Sequence, residues 1–121
     1  MVVEDSNTLR YIIVKLLKEY GYKDLAAVES AEEALALISM QTYDLILLDW
    51  NLPKMSGIEF LKVIRSKPEM NNVNIVMVTT MHERKHIVEA LKNGLQGYIL
   101  KPVDKKILLG KLKEIEEKLV A

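Results

Sequence analysis

The stretch LILLDWN, residues 45–51, places four consecutive aliphatic residues directly before Asp49. Apolar runs without alternating polar residues are typical of strands that are buried on both faces of a parallel sheet. Similar short runs occur at residues 2–3, 25–28, 75–78 and 98–100. They predict four further strands of the same sheet, with helices covering both of its faces.

Amphipathic helices are predicted between these runs. A first helix carries an apolar stripe from Leu9 to Tyr20 and ends at Gly21. A serine or threonine followed three residues later by glutamate is a capping-box pattern. It predicts three more helix starts, at Ser30 for a helix through Met40, at Ser56 and at Thr80. A fifth helix is predicted to begin near Asp104, with one apolar face formed by Leu108, Leu112, Ile115 and Leu119.

Strands that alternate with helices predict a (βα)5 α/β fold. We expect a doubly wound, flavodoxin-like three-layer sandwich whose parallel five-stranded sheet has the order 2-1-3-4-5. We expect one domain over residues 1–121. The first strand, with only Met1 to Val3 before the acidic pair, is short for its kind, which suggests a trimmed, misassigned or engineered start.

Composition excludes several classes of protein. Cysteine is absent, which excludes disulfide scaffolds and cysteine-ligated metal sites and favours a cytoplasmic location. The formal net charge is zero, so the total gives no reason to expect nucleic acid or a membrane as a partner. Charge is nevertheless segregated. Residues 1–60 carry ten acids and five bases, and residues 61–121 carry seven acids and twelve bases.

Polar side chains follow four of the predicted strands: Glu4 and Asp5, Asp49, Thr79, and Lys101. In a sheet of this order the carboxyl ends of these strands are adjacent, so the groups meet in one crevice. Three carboxylates so close repel one another unless a cation compensates. A hard divalent ion, preferably magnesium, suits the oxygen ligands and leaves one carboxylate to attack a phosphoryl group.

Four motifs in order resemble the two-component response-regulator receiver domain over essentially the whole chain. They are VVEDS (2–6), LLDWNLPKMSG (47–57), MVTT (77–80) and GYILKP (97–102). Within that family the Asp49-Trp50-Asn51 sequence and the paired threonines are most like the chemotaxis regulators.

The resemblance implies a role for each site residue. Asp49 is then the phosphoacceptor. Asp5 ligates Mg²⁺ directly, Glu4 holds the ion through water, and Asn51 contributes its backbone carbonyl. Lys101 pairs with Asp49 at rest and with the phosphoryl oxygens afterwards.

Two switch residues are also implied by the resemblance. Thr79 is expected to hydrogen-bond a phosphoryl oxygen, and the ring of Tyr98 to turn inward as the threonine moves. The bond between Lys101 and Pro102 is expected to be cis. Thr80 stands where many members of the family have alanine or glycine, and it is expected to slow dephosphorylation.

Each of these residues also has an ordinary structural interpretation. Glu4 and Asp5 are favourable charges at a helix start, and Asp49 is a common residue in turns. Thr80 is a helix cap, Tyr98 a fixed half-buried ring and Trp50 a partly exposed packing residue.

Residues 82–86 spell HERKH, which matches the HExxH zinc-peptidase pattern. The chain has no third histidine, and the segment lies at a helix start, so we reject a zinc site. His82 and His86 are instead expected to be exposed. With Arg84, Lys85, Lys92, Lys105 and Lys106 they predict a basic face on the fourth helix, fifth strand and fifth helix.

The expected function is a phosphorylation-controlled switch. A sensor histidine kinase is its phosphoryl donor, and a downstream protein binds the basic face. The domain is expected to catalyse only its own phosphorylation and dephosphorylation. Alternatives are the receiver part of a DNA-binding regulator, a haloacid-dehalogenase-type phosphohydrolase, which would need a second acid where Asn51 stands, and a flavodoxin-like nucleotide binder, which would need a less acidic first loop.

Overall fold

Strands and helices alternate along the chain in the computed structural model, which describes the backbone of residues 1–120 and the side chains of residues 1–118. The strands are β1 (Val2–Val3), β2 (Ala27–Val28), β3 (Leu45–Leu48), β4 (Asn74–Thr79) and β5 (Gly97–Leu100). The helices are α1 (Asn7–Tyr20), α2 (Ala31–Ile38), α3 (Gly57–Arg65), α4 (Arg84–Lys92) and α5 (Lys105–Val120), with a short 3-10 helix at Pro68–Met70. Leu119, predicted on the apolar face of α5, lies outside the described side chains.

All described strand pairs are parallel, and the sheet order is β2-β1-β3-β4-β5. The predicted fold class and strand order are therefore confirmed. The second strand is shorter than the predicted 25–28. The two residues of β1 pair with Ala27 and Val28, so β2 is limited to these two residues.

Two apolar layers enclose the sheet. On one side α1 and α5 bury Ile13, Leu17, Leu108, Leu112 and Ile115 against the sheet residues Val2, Leu47, Val76, Val78 and Ile99. On the other side α2, α3 and α4 pack against the alternate residues of the same strands. This arrangement explains why the strands are apolar on both faces.

Two of the three helix starts predicted from the capping-box pattern are confirmed, each by its serine cap. Ser30 Oγ accepts from Glu33 N at 3.2 Å, and Ser56 Oγ accepts from Glu59 N at 3.3 Å. The third prediction is wrong, because α4 begins at Arg84 and Thr80 caps nothing. Between β4 and α4, Met81 N donates to Thr79 Oγ1 and Met81 O accepts from the Tyr98 hydroxyl.

Two helix ends depend on local geometry. Gly21 ends α1 with a φ of 121°, a backbone conformation that side chains with a Cβ rarely adopt. Helix α2 ends at Ile38 rather than at Met40, because Met40 N donates to Leu37 O in a tighter 3-10 pattern and Ser39 Oγ donates to Ala36 O.

The helices differ in how firmly they are anchored. Helix α3 has five buried residues, whereas α4 has only Ala90. Separately, no helix among residues 1–120 is both long and apolar enough to cross a membrane.

Candidate functional site

Acidic side chains from two neighbouring strands meet at the carboxyl edge of the sheet. Glu4 and Asp5 follow β1, and Asp49 follows β3. One carboxylate oxygen from each lies within 4.8 Å of the other two. Glu4 and Asp49 are buried, with 2% and 4% of their surfaces exposed, whereas Asp5 faces solvent. The predicted gathering of these three carboxylates is present.

Lys101, at the end of β5, supplies the one ammonium group described in contact with this cluster. Its Nζ donates to Asp49 Oδ2 at 2.8 Å and lies 2.8 Å from Glu4 Oε1. Burial by itself lowers the pKa of Lys101, but the close contacts with Asp49 and Glu4 and their negative charges outweigh it and raise that pKa. Lys101 therefore stays protonated and bridges two carboxylates that its charge cannot fully neutralise.

Glu4 is the least satisfied group of the site. Its Oε2 accepts from Ser6 N at 3.0 Å. Its Oε1 is near Lys101 but has no directed hydrogen bond from any described residue. Burial raises the pKa of Glu4; the contacts with Lys101 and Ser6 lower it, and the charge of Asp49 raises it further. The net direction is upward, as expected for a buried carboxylate short of positive charge.

The residues fit a hard divalent cation. Three carboxylates face one ammonium group, the ligand atoms are oxygens, and the buried Glu4 Oε1 has only the shared Lys101 as its described polar contact. Asp5 is accessible from solvent, which leaves an entry path. Such a set of oxygen ligands favours a hard divalent cation over zinc or copper.

Asn51 contacts Asp49, the phosphoacceptor candidate, through its backbone and Thr80 through its side chain. Its backbone N–H donates to Asp49 Oδ1 at 3.1 Å. Its side-chain Nδ2 donates to Thr80 Oγ1 at 3.5 Å, across the exposed rim of the site. Thr80 therefore contacts the rim rather than capping the next helix.

Comparisons with known proteins agree on one family. The profile of the response regulator receiver domain matches residues 1–113. A chemotaxis protein CheY from Pseudomonas aeruginosa is 32% identical over 118 residues, which cover 98% of this chain and 95% of that protein. The chain belongs to the response regulator receiver domain family.

Two solved structures show the same fold. Chemotaxis protein CheY4 of Vibrio cholerae has a TM-score of 0.86 at 30% identity, over 94% of each chain. A DNA-binding response regulator of the LuxR family from Staphylococcus aureus has a TM-score of 0.84 at 29% identity, again over 94% of each chain.

The two predicted switch residues of this receiver domain are linked through Met81. Thr79 is fully buried, and its Oγ1 accepts from Met81 N at 3.3 Å. The Tyr98 hydroxyl donates to Met81 O. Burial, with a smaller effect of the Asp49 charge, raises the pKa of Tyr98 to about 12. Tyr98 is therefore a neutral donor over the physiological pH range.

The peptide bond between Lys101 and Pro102 is cis, as the family resemblance predicted. The Lys101 amide also donates to Thr79 O at 2.9 Å, which joins the ends of β4 and β5.

Gly57 ends the motif LLDWNLPKMSG, and the sequence alone assigns it no role. A Cβ at this position would lie 2.2 Å from Asp49 O and 2.8 Å from Trp50 Cα. The start of α3 is therefore pressed against the chain at the phosphoacceptor candidate. Glycine, which has no Cβ, is the residue that permits such a close approach.

Trp50 and His86 differ from expectation. Trp50 is 7% exposed and not partly exposed, because its ring packs into the core beside α3. His86 is half-buried, with its ring in edge contact with Trp50 at a centroid distance of 5.2 Å, whereas His82 is exposed as predicted. Local periodicity gives no signal for a contact between residues so far apart in sequence.

The structure agrees with the rejection of a zinc site at residues 82–86. His82 precedes the first residue of α4, so the two histidines do not share one helical face. Within the described side chains, the metal-ligand cluster at Glu4, Asp5 and Asp49 is the one with three suitable groups.

Proposed function

We propose that this receiver domain is a phosphorylation-controlled signalling switch of a two-component phosphorelay, with Asp49 as phosphoacceptor. The observation that carries the proposal is the placement of Lys101 Nζ, which lies 2.8 Å from both Asp49 Oδ2 and Glu4 Oε1. A buried carboxylate held by one lysine, beside further carboxylates and a threonine, matches the needs of in-line phosphoryl transfer.

The donor is the phosphohistidine of a sensor histidine kinase. A carboxylate oxygen of Asp49 forms a bond to phosphorus as the phosphorus–nitrogen bond breaks, and the electron pair of that bond returns to the imidazole. Lys101 then binds a phosphoryl oxygen instead of the free carboxylate. The Thr79 hydroxyl donates a hydrogen bond to a second phosphoryl oxygen and keeps its proton.

We assign Mg²⁺ to the acidic cluster, held by Asp5 and Asp49, by Glu4 through water, and by the backbone carbonyl of Asn51. When bound, the ion neutralises charge on the carboxylates and on the transferred group. Lys101 alone supplies too little positive charge for the three carboxylates, and this deficit supports the assignment.

The path from the site to the surface runs through Met81. If Thr79 Oγ1 turns to a phosphoryl oxygen, its contact with Met81 N changes. Met81 O also holds the Tyr98 hydroxyl, so the same movement reaches Tyr98. This connection supports the assignment of Thr79 and Tyr98 as switch residues.

The surface that responds is formed by α4, β5 and α5. It carries exposed basic side chains at His82, Arg84, Lys85, Lys92, Lys105 and Lys106. It also exposes large apolar side chains at Val88, Leu91, Leu100 and Ile107. A mixed basic and apolar face suits a downstream protein with an acidic, partly apolar surface. The proposal includes no nucleic-acid or membrane partner for this domain, and the chemotaxis relatives favour a chemotaxis role.

An open groove beside the site suits the kinase. It is lined by Leu9, Ile12, Thr80, Lys101, Pro102 and Val103. Apolar walls that end at the active lysine allow a helical protein donor to dock next to Asp49. We expect the encounter to take place in the cytoplasm.

The chemistry is confined to the domain itself. Asn51, two residues after Asp49, has an amide and is bonded to Thr80, so it supplies no second acid for turnover. We therefore expect no multiple-turnover hydrolysis of small phosphate esters.

Incubation with Mg²⁺ and acetyl phosphate, followed by intact mass, tests the proposal. The expected result is one added phosphoryl group, lost in Asp49→Asn and retained in Asp24→Asn, an exposed aspartate away from the site. If the adduct is too short-lived to be detected by mass, binding of beryllofluoride, a stable mimic of the phosphoryl group, is measured instead. Absence of both the adduct and mimic binding would overturn the proposal.

A second candidate is the receiver part of a DNA-binding transcriptional regulator. The Staphylococcus aureus structure, described as a DNA-binding response regulator, favours it. The length of the parent gene tests it: a DNA-binding segment encoded after residue 121 would select this alternative over a single-domain chemotaxis regulator.

A further inference from the structure

Trp50 is fixed at its backbone. Its carbonyl accepts from Gly57 N at 2.8 Å and from Leu52 N at 3.1 Å, and the absent Cβ of Gly57 allows that close approach. Because Asp49 is the preceding residue, a change in the Asp49 backbone is passed directly to Trp50. The ring of Trp50 is buried, so it can move only if its neighbours move.

The neighbour of that ring on α4 is His86. The two rings meet edge to face, with centroids 5.2 Å apart and planes at 67°. The attractive geometry of aromatic pairs is of this kind. His86 lies in the first turn of α4, the end of the helix that lies nearest to the site loop.

Helix α4 is the element best able to respond. It buries Ala90 alone, and one exposed ion pair, Lys62 with Glu89 at 3.3 Å, joins it to α3. Elements with few buried contacts open and shift at the lowest free-energy cost. The same helix carries Val88 and Leu91 of the proposed output surface.

We propose that the Trp50–His86 ring contact couples the phosphoryl state of Asp49 to the position of α4, with His86 as a positioning residue. This inference rests on the proposed function and adds a second route beside the Thr79–Met81–Tyr98 connection. It assigns His86 to the coupling without any contact to the phosphoryl group.

Hydrogen exchange of the α4 amides, measured on the whole chain with and without Mg²⁺ and beryllofluoride, tests the coupling. In the parent protein, the mimic changes the exchange of residues 84–92. In His86→Ala this change becomes roughly threefold smaller, within the range for residues on a coupling route. Intact mass after acetyl phosphate treatment shows the same adduct in both proteins, because His86 does not touch the reacting groups.

Two variants sharpen the result. His86→Phe keeps an aromatic edge against Trp50 and restores most of the exchange change. Tyr11→Ala removes an exposed ring on α1, away from α4, and leaves the change at the parent level. The inference is overturned if His86→Ala responds as fully as the parent, or if α4 does not respond in a parent protein that forms the adduct. If the parent forms no adduct and binds no mimic, the proposed function fails as well.

Discussion

Arg65 and Lys101 are two half-buried cations at opposite ends of β4 and β5, and their surroundings differ sharply. The guanidinium of Arg65 donates to Gly94 O, Met70 O, Val73 O and Gln96 Oε1 at 2.7–3.0 Å. No carboxylate of the described residues pairs with it, and burial lowers its pKa. Lys101 faces two buried carboxylates, one of which keeps an oxygen without a directed hydrogen bond.

This difference distinguishes the cluster around Arg65, which stabilises the fold, from the cluster around Lys101, which is suited to bind a cation. Around Arg65, each described donor contact has a neutral acceptor, so the cluster ties α3 to the loops that precede β4 and β5. Around Lys101, negative charge exceeds positive charge, so the folded chain gains by binding a cation. Buried polar groups left unsatisfied in a native structure call for such an explanation.

The largest expected effect comes from breaking the satisfied cluster. Arg65→Ala lowers the free energy of unfolding by about 3 kcal/mol, because buried acceptors lose a charged donor. Urea unfolding with an unchanged m-value measures it. Lys67→Ala, at an exposed neighbour, serves as the control and changes stability by less than about 0.5 kcal/mol. A loss below about 1 kcal/mol in Arg65→Ala would show that the loops hold without this cluster.

Magnesium should stabilise the unsatisfied cluster by a similar amount. At about one hundred times its dissociation constant, the ion raises the free energy of unfolding by about 2.7 kcal/mol. Thermal or urea unfolding with and without Mg²⁺ measures the increment. Arg65→Ala retains the full increment because its site is distant, whereas Asp5→Asn loses most of it. Equal increments in the parent and Asp5→Asn would contradict the assignment of the ion.

Removing one acidic charge should relieve the cluster when Mg²⁺ is absent. Glu4→Gln raises the free energy of unfolding at pH 7 by about 1 kcal/mol, because a buried charge that repels Asp49 is removed. It also reduces the Mg²⁺ increment. Glu33→Gln, at an exposed helix-start glutamate, is the control.

The difference in free energy of unfolding between Glu4→Gln and the parent changes with pH in a direction set by the pKa of Glu4. Burial raises the pKa of Glu4 in the folded protein above the ordinary value of 4.5. Between pH 4.5 and the raised pKa, the folded state therefore binds more protons than the unfolded state. This extra proton binding stabilises the folded parent, and the stabilisation is lost as the pH rises through that window. The difference between Glu4→Gln and the parent should grow over the same window. A difference independent of pH would contradict the direction of the shift.

The smallest effect is expected at Tyr98, whose hydroxyl resembles Arg65 in having a backbone acceptor. Tyr98→Phe removes the bond to Met81 O and costs about 1 kcal/mol or less, while phosphoryl incorporation at Asp49 persists. Tyr11→Phe, at an exposed ring, leaves stability unchanged. If Tyr98→Phe abolished the adduct, Tyr98 would belong to the reacting site rather than to the switch.

Much of the fold followed from local patterns. The run 45–48 and its four counterparts are apolar on both faces because helices cover both sides of the sheet, and Ser30 and Ser56 mark helix starts through contacts within one turn. The prediction of a helix start at Thr80 was wrong, although Thr80 is also followed by a glutamate three residues later. Its hydroxyl instead meets Asn51 across the site, and no sequence window contains that contact.

The sequence by itself determined that acidic residues, a threonine and a lysine follow apolar strands, since apolar runs and the residues that end them are local properties. The tertiary structure alone decided which carboxylates are buried, namely Glu4 and Asp49 but not Asp5, and that Trp50 meets His86. It also decided that Arg65 gathers carbonyls from the two connections that precede β4 and β5. These outcomes depend on how distant segments pack, and desolvation and hydrogen-bond direction are set only when those segments come together.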